Sequence, residues 1–283
     1  MNIYRIKRGI STTVYHVLML AFTLVLIYPL LWMFSSSLKE TKDVIRTAEQ
    51  LFIGNPHWEN YVNGWKGFGG YTYATYFKNT FILCIVNVAG VVITSSICAF
   101  GFARIKFVGR KFWFGFMILT MCLPGMVTQI PRYIMFKNMG WVGTWNPMLI
   151  PCWFGGGAFN IFLLMQFMRN IPKEMDEAAR IDGCGWFGIY RQIVMPMIVP
   201  ALFSVGLMTF IGHWGDYYSA LIYLNKPEYY PVGYALKLYS DEGVTNYGPM
   251  LAMSCASVTP TLILFFLFQR TLIEGISMDG IKG

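Results

Sequence analysis

Six long apolar stretches alternate with polar segments along the 283-residue chain. A stretch of roughly twenty apolar residues is long enough to cross a bilayer as a helix. None of the six contains Asp, Glu, Lys or Arg, the side chains that are most costly inside a membrane. The stretches lie at 14–34, 80–103, 112–131, 147–168, 193–215 and 249–268. This pattern predicts an all-α membrane protein with six transmembrane helices.

The first stretch also has two features of a secretory signal peptide, a basic head and an apolar run. Residues 1–12 carry Arg5, Lys7 and Arg8 ahead of the apolar run 14–34. That run is longer than the apolar region of a signal peptide, and no small-residue cleavage site follows it. We therefore interpret it as a membrane-spanning helix.

Two other stretches contain residues that interrupt helices. Pro124 and Gly125 lie inside the third, where a kink is tolerated if neighbouring groups satisfy the freed backbone. Gly155, Gly156 and Gly157 lie in the middle of the fourth. Consecutive glycines indicate either close helix contact or local unwinding.

Composition and charge exclude several classes of function. The chain is 55% hydrophobic and 13% charged, whereas soluble domains are roughly 25% charged. Its net charge of +8 is spread over short loops, and it lacks the clustered basic stripe of a nucleic-acid-binding protein. The six cysteines are scattered without a Cys-x-x-Cys motif, which favours small apolar core residues over disulfides or metal ligands.

The distribution of Lys and Arg predicts the orientation in the membrane. If the amino terminus is cytoplasmic, the inside segments are 1–12, 104–111, 169–192 and 269–283, and the external loops are 35–79, 132–146 and 216–248. The inside segments have roughly twice the density of basic residues, as the positive-inside rule requires. Both termini and the segment 169–192 are therefore predicted to be cytoplasmic.

Segment 169–192 contains a polar helix signal that is unusual in this chain. Pro172 suits the first helical position, and Gly183 suits a left-handed end. Asp176 and Arg180 are spaced to form an i, i+4 ion pair. The same helical spacing predicts a small, nearly flat contact face. Its members are Met175, Ala178, Ala179 and Asp182.

This segment resembles the EAA loop in the permease subunits of binding-protein-dependent ABC importers. The resemblance is carried by Glu177-Ala178-Ala179, Asp182-Gly183, Ile193, Met195-Pro196 and Pro200. Cys184, Tyr190 and Met195 differ from the usual residues but keep their size and apolar character. In that family the loop forms the coupling helix, which lies in a cleft of the cytoplasmic ATPase. The resemblance therefore implies that Glu177, Ala178, Ala179, Asp182 and Gly183 contact the ATPase.

Other segments are similar to the carbohydrate branch of this family. They are 99–110, 161–167, 210–216 and the carboxyl-terminal segment 268–283. Many such permeases have Trp-Asn-Asp where this chain has Trp214-Gly215-Asp216. The resemblance covers about 80–283, with a core permease domain of about 80–275. It implies a type I importer architecture, similar to the maltose permease subunits, with the coupling helix between the fourth and fifth spans.

The resemblance also implies a set of partners and a location. These are a second permease subunit, two ATPase subunits that hold ATP and Mg²⁺, and an extracellular solute-binding protein that delivers a sugar or oligosaccharide. The location is the cytoplasmic membrane of a prokaryote. No nucleic acid is expected.

The sequence contains no catalytic constellation. It lacks a Gly-x-x-x-x-Gly-Lys-Ser/Thr phosphate loop, so ATP hydrolysis is expected on another chain, and no cofactor or metal is expected on this one. The histidines are far apart, and we interpret His16 and His213 as polar tips at the membrane interface. Uncharged polar residues in the stretches form either interhelical hydrogen bonds or the lining of a path. The candidates for the path are Asn87, Gln129, Asn160 and Thr209.

The loop 216–248 is rich in tyrosine, an amphipathic residue that suits contacts with proteins or sugars. Tyr229 and Tyr230 are the candidates for a contact with the binding protein, and a cap lying on lipid headgroups is the alternative.

A self-sufficient carrier or channel for a small neutral solute is the alternative function for the whole chain. Such carriers typically show inverted repeats and charged, broken helices. Neither feature is visible in this sequence, so an importer permease is favoured.

Overall fold

The apolar stretches of the chain form helices, and helices also occupy much of the polar sequence between them. The computed structural model describes the backbone of residues 2–51, 54–241 and 246–277. It describes the side chains of residues 12–51, 54–240 and 246–269. The first helices are α1 (Asn2–Ser37), α2 (Thr41–Arg46), α3 (Glu59–Trp65), α4 (Tyr73–Arg104), α5 (Arg110–Met121), α6 (Gly125–Asn138), α7 (Asn146–Leu149) and α8 (Ala158–Arg169). The others are α9 (Lys173–Ile181), α10 (Trp186–Ile189), α11 (Met195–Met197), α12 (Val199–Trp214), α13 (Tyr217–Tyr223), α14 (Val232–Asp241) and α15 (Tyr247–Ser277).

Three short segments depart from α-helical geometry. Ile150–Trp153 and Pro227–Tyr229 are 3₁₀ turns, and Tyr190–Val194 is a π-helix between α10 and α11. The residues described form no β-strand, and their single β-bridge pairs Phe68 with Tyr71. The chain is therefore an all-α protein.

Four segments are long and apolar enough to cross a membrane as they stand. They are Thr12–Ser37, Tyr73–Arg104, Asn146–Arg169 and Tyr247–Gln269. Two further segments qualify as bent pairs of helices, which gives up to six spans. In one pair α5 and α6 meet at 100°, and in the other Trp186–Met197 and α12 meet at 77°.

The bend between α5 and α6 falls inside the predicted apolar run 112–131. Pro124 has an extended backbone, with ψ of 130°, and caps the start of α6. Proline lacks an N–H and disfavours helical backbone in the residue before it, so a helix does not continue smoothly through this position. The predicted single run is thus two helices at a large angle.

The described chain divides into two compact units. The first consists of residues 1–67 and 236–259. Within it, the buried amide of Asn60 donates to the backbone oxygens of Ser37 at 2.9 Å and Lys39 at 2.8 Å. The Lys39 ammonium donates to the backbone oxygens of Thr47 and Gln50, each at 2.6 Å. These bonds give the predicted loop 35–79 an ordered structure of its own, with α2 and α3 inside it.

The second unit, residues 68–235 and 260–283, is built around α4. Helices α8 and α12 both pack along α4. Small residues on α4 also let the 3₁₀ turn Ile150–Trp153 approach it closely. A Cβ added at Gly90 would lie 2.9 Å from the indole of Trp153, and Ala99 is completely buried. Small residues on α4 thus form part of its packing surface.

The three consecutive glycines separate the 3₁₀ turn from α8. All three have positive φ: 96° at Gly155, 63° at Gly156 and 92° at Gly157. A Cβ at Gly156 would lie 2.7 Å from the backbone oxygen of Val91 on α4. The glycines therefore serve both of the predicted purposes, local unwinding and close contact.

Candidate coupling segment and translocation path

The polar segment predicted as a helix forms α9, with well-defined ends. Pro172 is its N-cap, and the helix begins at Lys173, one residue later than the prediction that Pro172 is the first helical residue. At the other end Gly183 has φ of 84°, which confirms the predicted left-handed conformation. The Cys184 N–H donates to the Ala179 oxygen at 2.9 Å, and the Gly183 N–H donates to the Arg180 oxygen at 3.0 Å. These two bonds form a Schellman motif, which satisfies carbonyls at the end of the helix.

One face of α9 is buried and the other is exposed. Asp176 and Ala179 lie on the buried face, each 8% exposed. Ala179 belongs to the apolar cluster of the second unit. The prediction that Met175, Ala178, Ala179 and Asp182 share one contact face is therefore wrong for Ala179, which is buried. Ile181, which is 87% exposed, lies on the outer face with Ala178 instead.

The predicted ion pair between Asp176 and Arg180 is also wrong. The Asp176 Oδ2 lies 3.2 Å from the Nε of Arg104, at the end of α4. Arg180 instead stacks on the ring of Trp186, with its Cζ 3.8 Å from the ring centroid. Asp176 faces inward, where a buried carboxylate needs a cation close by, whereas Arg180 is exposed. Burial, not helical spacing, decides the pairing.

The segment after α9 returns to α4 through aromatic side chains. The ring of Phe100 on α4 makes edge contacts with Trp186 at 6.2 Å and with Tyr190 at 5.3 Å between centroids. The hydroxyls of Tyr190 and Ser96 are 2.9 Å apart. Tyr190 begins the π-helix, a feature that often occurs at functional sites.

In the middle of α4, a polar contact joins three helical segments. The amide nitrogen of Asn87, which is fully buried, lies 3.3 Å from Nδ1 of His213 on α12. The other ring nitrogen of His213 lies 3.8 Å from the Cys152 sulfur. Within the described part of the chain, the Asn87 Oδ1 accepts no hydrogen bond. Both ring nitrogens of His213 thus face neighbouring helical segments, and its position at the membrane interface stays a prediction.

Two cavities lie on either side of a shared wall, which consists of Pro151, Cys152 and His213. The first, about 480 Å³, is lined by Gly125, Met126, Gln129, Arg132, Pro147, Met148, Pro151, Cys152, His213, Asp216, Tyr218, Ser219 and Tyr223. The second, about 420 Å³, is lined by Val91, Pro151, Cys152, Gly156, Gly157, Asn160, Met208, Thr209, Gly212 and His213. The predicted path residues therefore come together: Gln129 lines the first cavity, Asn160 and Thr209 line the second, and Asn87 contacts the histidine between them.

The predicted path residues also bond to neighbouring groups. The Tyr218 hydroxyl donates to Gln129 Oε1 at 2.8 Å. The Asn160 amide donates to the Gly156 oxygen at 2.7 Å, and the Thr209 hydroxyl donates to the Val205 oxygen at 2.8 Å. The amides of Gln129 and Asn160 keep further donors and acceptors, and the Thr209 hydroxyl keeps its acceptor lone pairs. The lining is suited to a solute with hydroxyl groups.

The lining of the two cavities contains few charged side chains. Among the residues described, no group of three or more His, Cys, Asp or Glu is placed to hold a metal ion. Arg132 and Asp216 are the charged residues of the first cavity, and Asp216 accepts a hydrogen bond from the Ser219 N–H at 3.0 Å, which caps α13.

A sequence model of a protein family matches residues 91–272. Its description is "Binding-protein-dependent transport system inner membrane component". The match spans α9 and the cavity-lining helices. The chain belongs to this family.

Curated relatives of this permease agree with the assignment. It is 30% identical to the probable ABC transporter permease protein YurM of Bacillus subtilis, covering 99% of this chain and 91% of that protein. It is 28% identical to the arabinooligosaccharides transport system permease protein AraQ of Halalkalibacterium halodurans, covering 91% of each. It is 26% identical to the galactooligosaccharides transport system permease protein GanQ of Bacillus subtilis, covering 99% of this chain and 98% of that protein.

A solved structure shows the same fold. The permease superimposes on a chain of a bacterial ABC transporter that imports the acidic polysaccharide alginate, with a TM-score of 0.80 and 22% identity. The match covers 93% of this permease and 97% of that chain. The permease thus has the type I importer architecture. As a membrane component of a transport system, it is a non-enzymatic subunit.

The two tyrosines predicted to contact a binding protein have different environments in the permease. Tyr230 is only 8% exposed, its ring packs against Tyr234 at 4.5 Å, and burial raises the pKa of its hydroxyl. Its backbone oxygen accepts a hydrogen bond from Asn79 at 3.0 Å. Tyr230 is therefore a packing residue, which corrects its assignment to the surface. Tyr229 is half-buried and remains a candidate.

Sequence reasoning missed two residues of these sites. Arg104 is a basic residue directly after an apolar stretch, a position that the positive-inside rule alone explains. His213 lies next to the Trp214-Gly215-Asp216 segment, which resembles the carbohydrate permeases. A polar side chain within an apolar stretch was the available signal for His213. No local signal identified the partner of Arg104, which is 72 residues away along the chain.

Proposed function

We propose that this permease forms half of the translocation path for a sugar or oligosaccharide in an ATP-driven importer. Its partners are a second permease subunit, two cytoplasmic ATPase subunits and an external solute-binding protein. The observation that carries the proposal is the exposed outer face of α9, a Glu-Ala-Ala helix on a chain of this family. ATP and Mg²⁺ bind to the ATPase subunits.

The substrate class is supported by two kinds of observation. Relatives along the whole chain are named as permeases for arabinooligosaccharides and galactooligosaccharides. The cavities beside His213 offer amide, hydroxyl and imidazole groups, which match the hydroxyls of a sugar as hydrogen-bond donors and acceptors. Asn87, Gln129, Asn160 and Thr209 contribute to this path, together with His213.

The ATPase meets the exposed face of α9. Glu177, Ala178 and Asp182 are exposed there, and Ile181 adds an apolar side chain that is 87% exposed. An exposed apolar residue on a polar helix favours burial in a partner's groove. Gly183 ends the helix, and Ala179 holds its inner side against the protein.

The orientation follows from charge. Both termini and α9 lie on the cytoplasmic side of a prokaryotic inner membrane. Supporting this, the segments around Arg104 and α9 are richer in Lys and Arg than those on the other side. A cysteine scan with an impermeant maleimide tests it. Positions near Lys66 react from outside, whereas positions near Lys111 and Lys173 react only after the cytoplasmic side is opened. Labelling near Lys173 from outside would invert the topology.

Purification from native membranes tests the importer itself. The chain is extracted in mild detergent, and the co-purifying proteins are identified by mass spectrometry. We expect a second permease and an ATPase, and we expect uptake of labelled oligosaccharides by reconstituted vesicles to require ATP. A chain that purifies alone and transports without ATP would overturn the proposal in favour of a self-sufficient carrier.

A further inference from the structure

Helix α9 is attached to the rest of its unit by few contacts. No helix in the described part of the chain packs extensively along it. Its buried face consists of Asp176 and Ala179. Alanine offers only a methyl group, so the ion pair of Asp176 with Arg104 is the main directional contact of this helix.

Arg104 holds the start of α9 at two points. Its Nε lies 3.2 Å from Asp176 Oδ2, and its Nη2 donates to the backbone oxygen of Ile171 at 2.8 Å. The two side chains are 3% and 11% exposed. The planar guanidinium fixes direction as well as distance. The contact therefore sets where the first turn of α9 lies relative to the end of α4.

The ion pair is poorly suited to stabilising the fold. The Arg104 Nε–H is not aligned for a hydrogen bond, and neither it nor Asp176 Oδ1 bonds to any side chain or backbone group in the described residues. A buried pair with unsatisfied atoms recovers little of its desolvation cost. Removing one partner leaves an uncompensated charge. Such a pair is better explained by the position it imposes than by stability.

Helix α4 connects this pair to the cavities. It runs without proline from Tyr73 to Arg104. Asn87, which contacts His213, lies about 25 Å from Arg104 along the helix axis at 1.5 Å per residue. Val91 lines the second cavity between them. A displacement applied at Arg104 therefore reaches the cavity wall through one continuous helix.

We propose that Arg104 and Asp176 are positioning residues that transmit the movement of α9 to α4, and so to the cavity beside His213. The proposal rests on the proposed function, in which the ATPase moves α9. The pair acts as a fixed joint: α9 and the end of α4 move together when the ATPase closes.

The test follows the cavity while the ATPase works. The complex is purified with its co-purifying ATPase, from a background in which the six native cysteines are replaced by alanine. Met208→Cys, in the wall of the second cavity, reports the labelling rate by an impermeant maleimide with and without ATP and vanadate. We expect ATP to change this rate by about fivefold or more, the usual size of a coupling effect.

Asp176→Asn and Arg104→Met are expected to abolish the nucleotide effect on labelling while ATP hydrolysis and the amount of bound ATPase stay unchanged. Asp176→Glu retains the charge and should retain the effect. Arg104→Lys, which cannot reach both partners as a fork, should give an intermediate response. Lys106→Met removes an exposed cation from the same loop and should behave as the parent.

Two results would overturn the proposal. One is a normal nucleotide effect in Asp176→Asn. The other is the loss of the ATPase from the Asp176→Asn and Arg104→Lys complexes, since the pair would then serve assembly. Absence of any ATPase from the parent complex is a different result, because it contradicts the proposed function and not the joint.

Discussion

Two regions of α4 make polar contacts of opposite kinds. At its end, Arg104 holds a helix by charge, and that helix has little other packing. In its middle, the Asn87 amide contacts the His213 ring inside a tightly packed region where Val91 approaches the backbone of Gly156. The difference teaches where a substitution should act: at the end of α4 it should change the response to ATP, and in the middle it should change packing or the path.

The largest effect is expected at Gly183. Replacement with Val places a β-branched residue at φ of 84°, at a cost of about 1–2 kcal/mol or more for the left-handed conformation. A Cβ there meets no described atom within 4 Å, so the cost is purely one of backbone. We expect the Schellman turn to be lost and ATP-dependent uptake to fall by more than about tenfold.

Gly185 provides the matched control. It lies two residues further on, has an ordinary φ of −74° and also has open space at its Cβ. Gly185→Val should therefore transport normally. Equal uptake by the two variants, at equal amounts in the membrane, would remove the role assigned to the end of α9.

Gly156→Ala tests the packed middle of α4. The new Cβ would lie 2.7 Å from the Val91 oxygen, and such overpacking costs about 1–3 kcal/mol. Gly155→Ala also places a side chain at a positive φ, 96°, but has only a 3.8 Å contact with Ile161. We expect a lower thermal stability in detergent for the alanine at 156 than for the alanine at 155. The same stability for both would contradict the close approach.

Asn87→Leu separates packing from a path in the same region. An interhelical hydrogen bond in a membrane contributes about 0.6 kcal/mol on average, so the loss of stability should be small. If His213 binds the solute in the cavity wall, loss of its contact with Asn87 should weaken the apparent affinity for uptake by about fivefold or more, at roughly 1 kcal/mol for one polar contact. A variant with unchanged uptake would leave Asn87 a packing residue.

Much of this arrangement can be predicted from sequence, for identifiable reasons. Charge-free apolar stretches predict helices because only such segments are stable in a membrane, and Gly183 is predictable because its turn is local. The partner of Asp176 is not, since burial against a residue 72 positions away outweighs the local spacing to Arg180. The 100° bend at α5 and α6 and the burial of Tyr230 likewise depend on tertiary packing.

The smallest effect is expected in the tyrosine-rich loop 216–248. Tyr229→Ala removes a half-buried ring that packs against Trp145 at 5.7 Å, and Tyr230→Ala removes a buried one. If Tyr229 meets a binding protein, its variant should lower stimulated ATP hydrolysis by about twofold to fivefold with little change in basal hydrolysis. The Tyr230 variant should lower both together through lost packing. If Tyr229→Ala instead lowers basal and stimulated hydrolysis together, Tyr229 is only a packing residue.

The contact between α9 and an ATPase is the central claim, and a photo-crosslinking amino acid at position 181 tests it most directly. Ile181 is 87% exposed on the outer face of α9, and Val62, 64% exposed on α3, is the control position. In native membranes we predict a crosslink from position 181 to an ATPase subunit, changed in yield by ATP, and none from position 62. No crosslink from position 181, in a complex that still transports, would contradict the account.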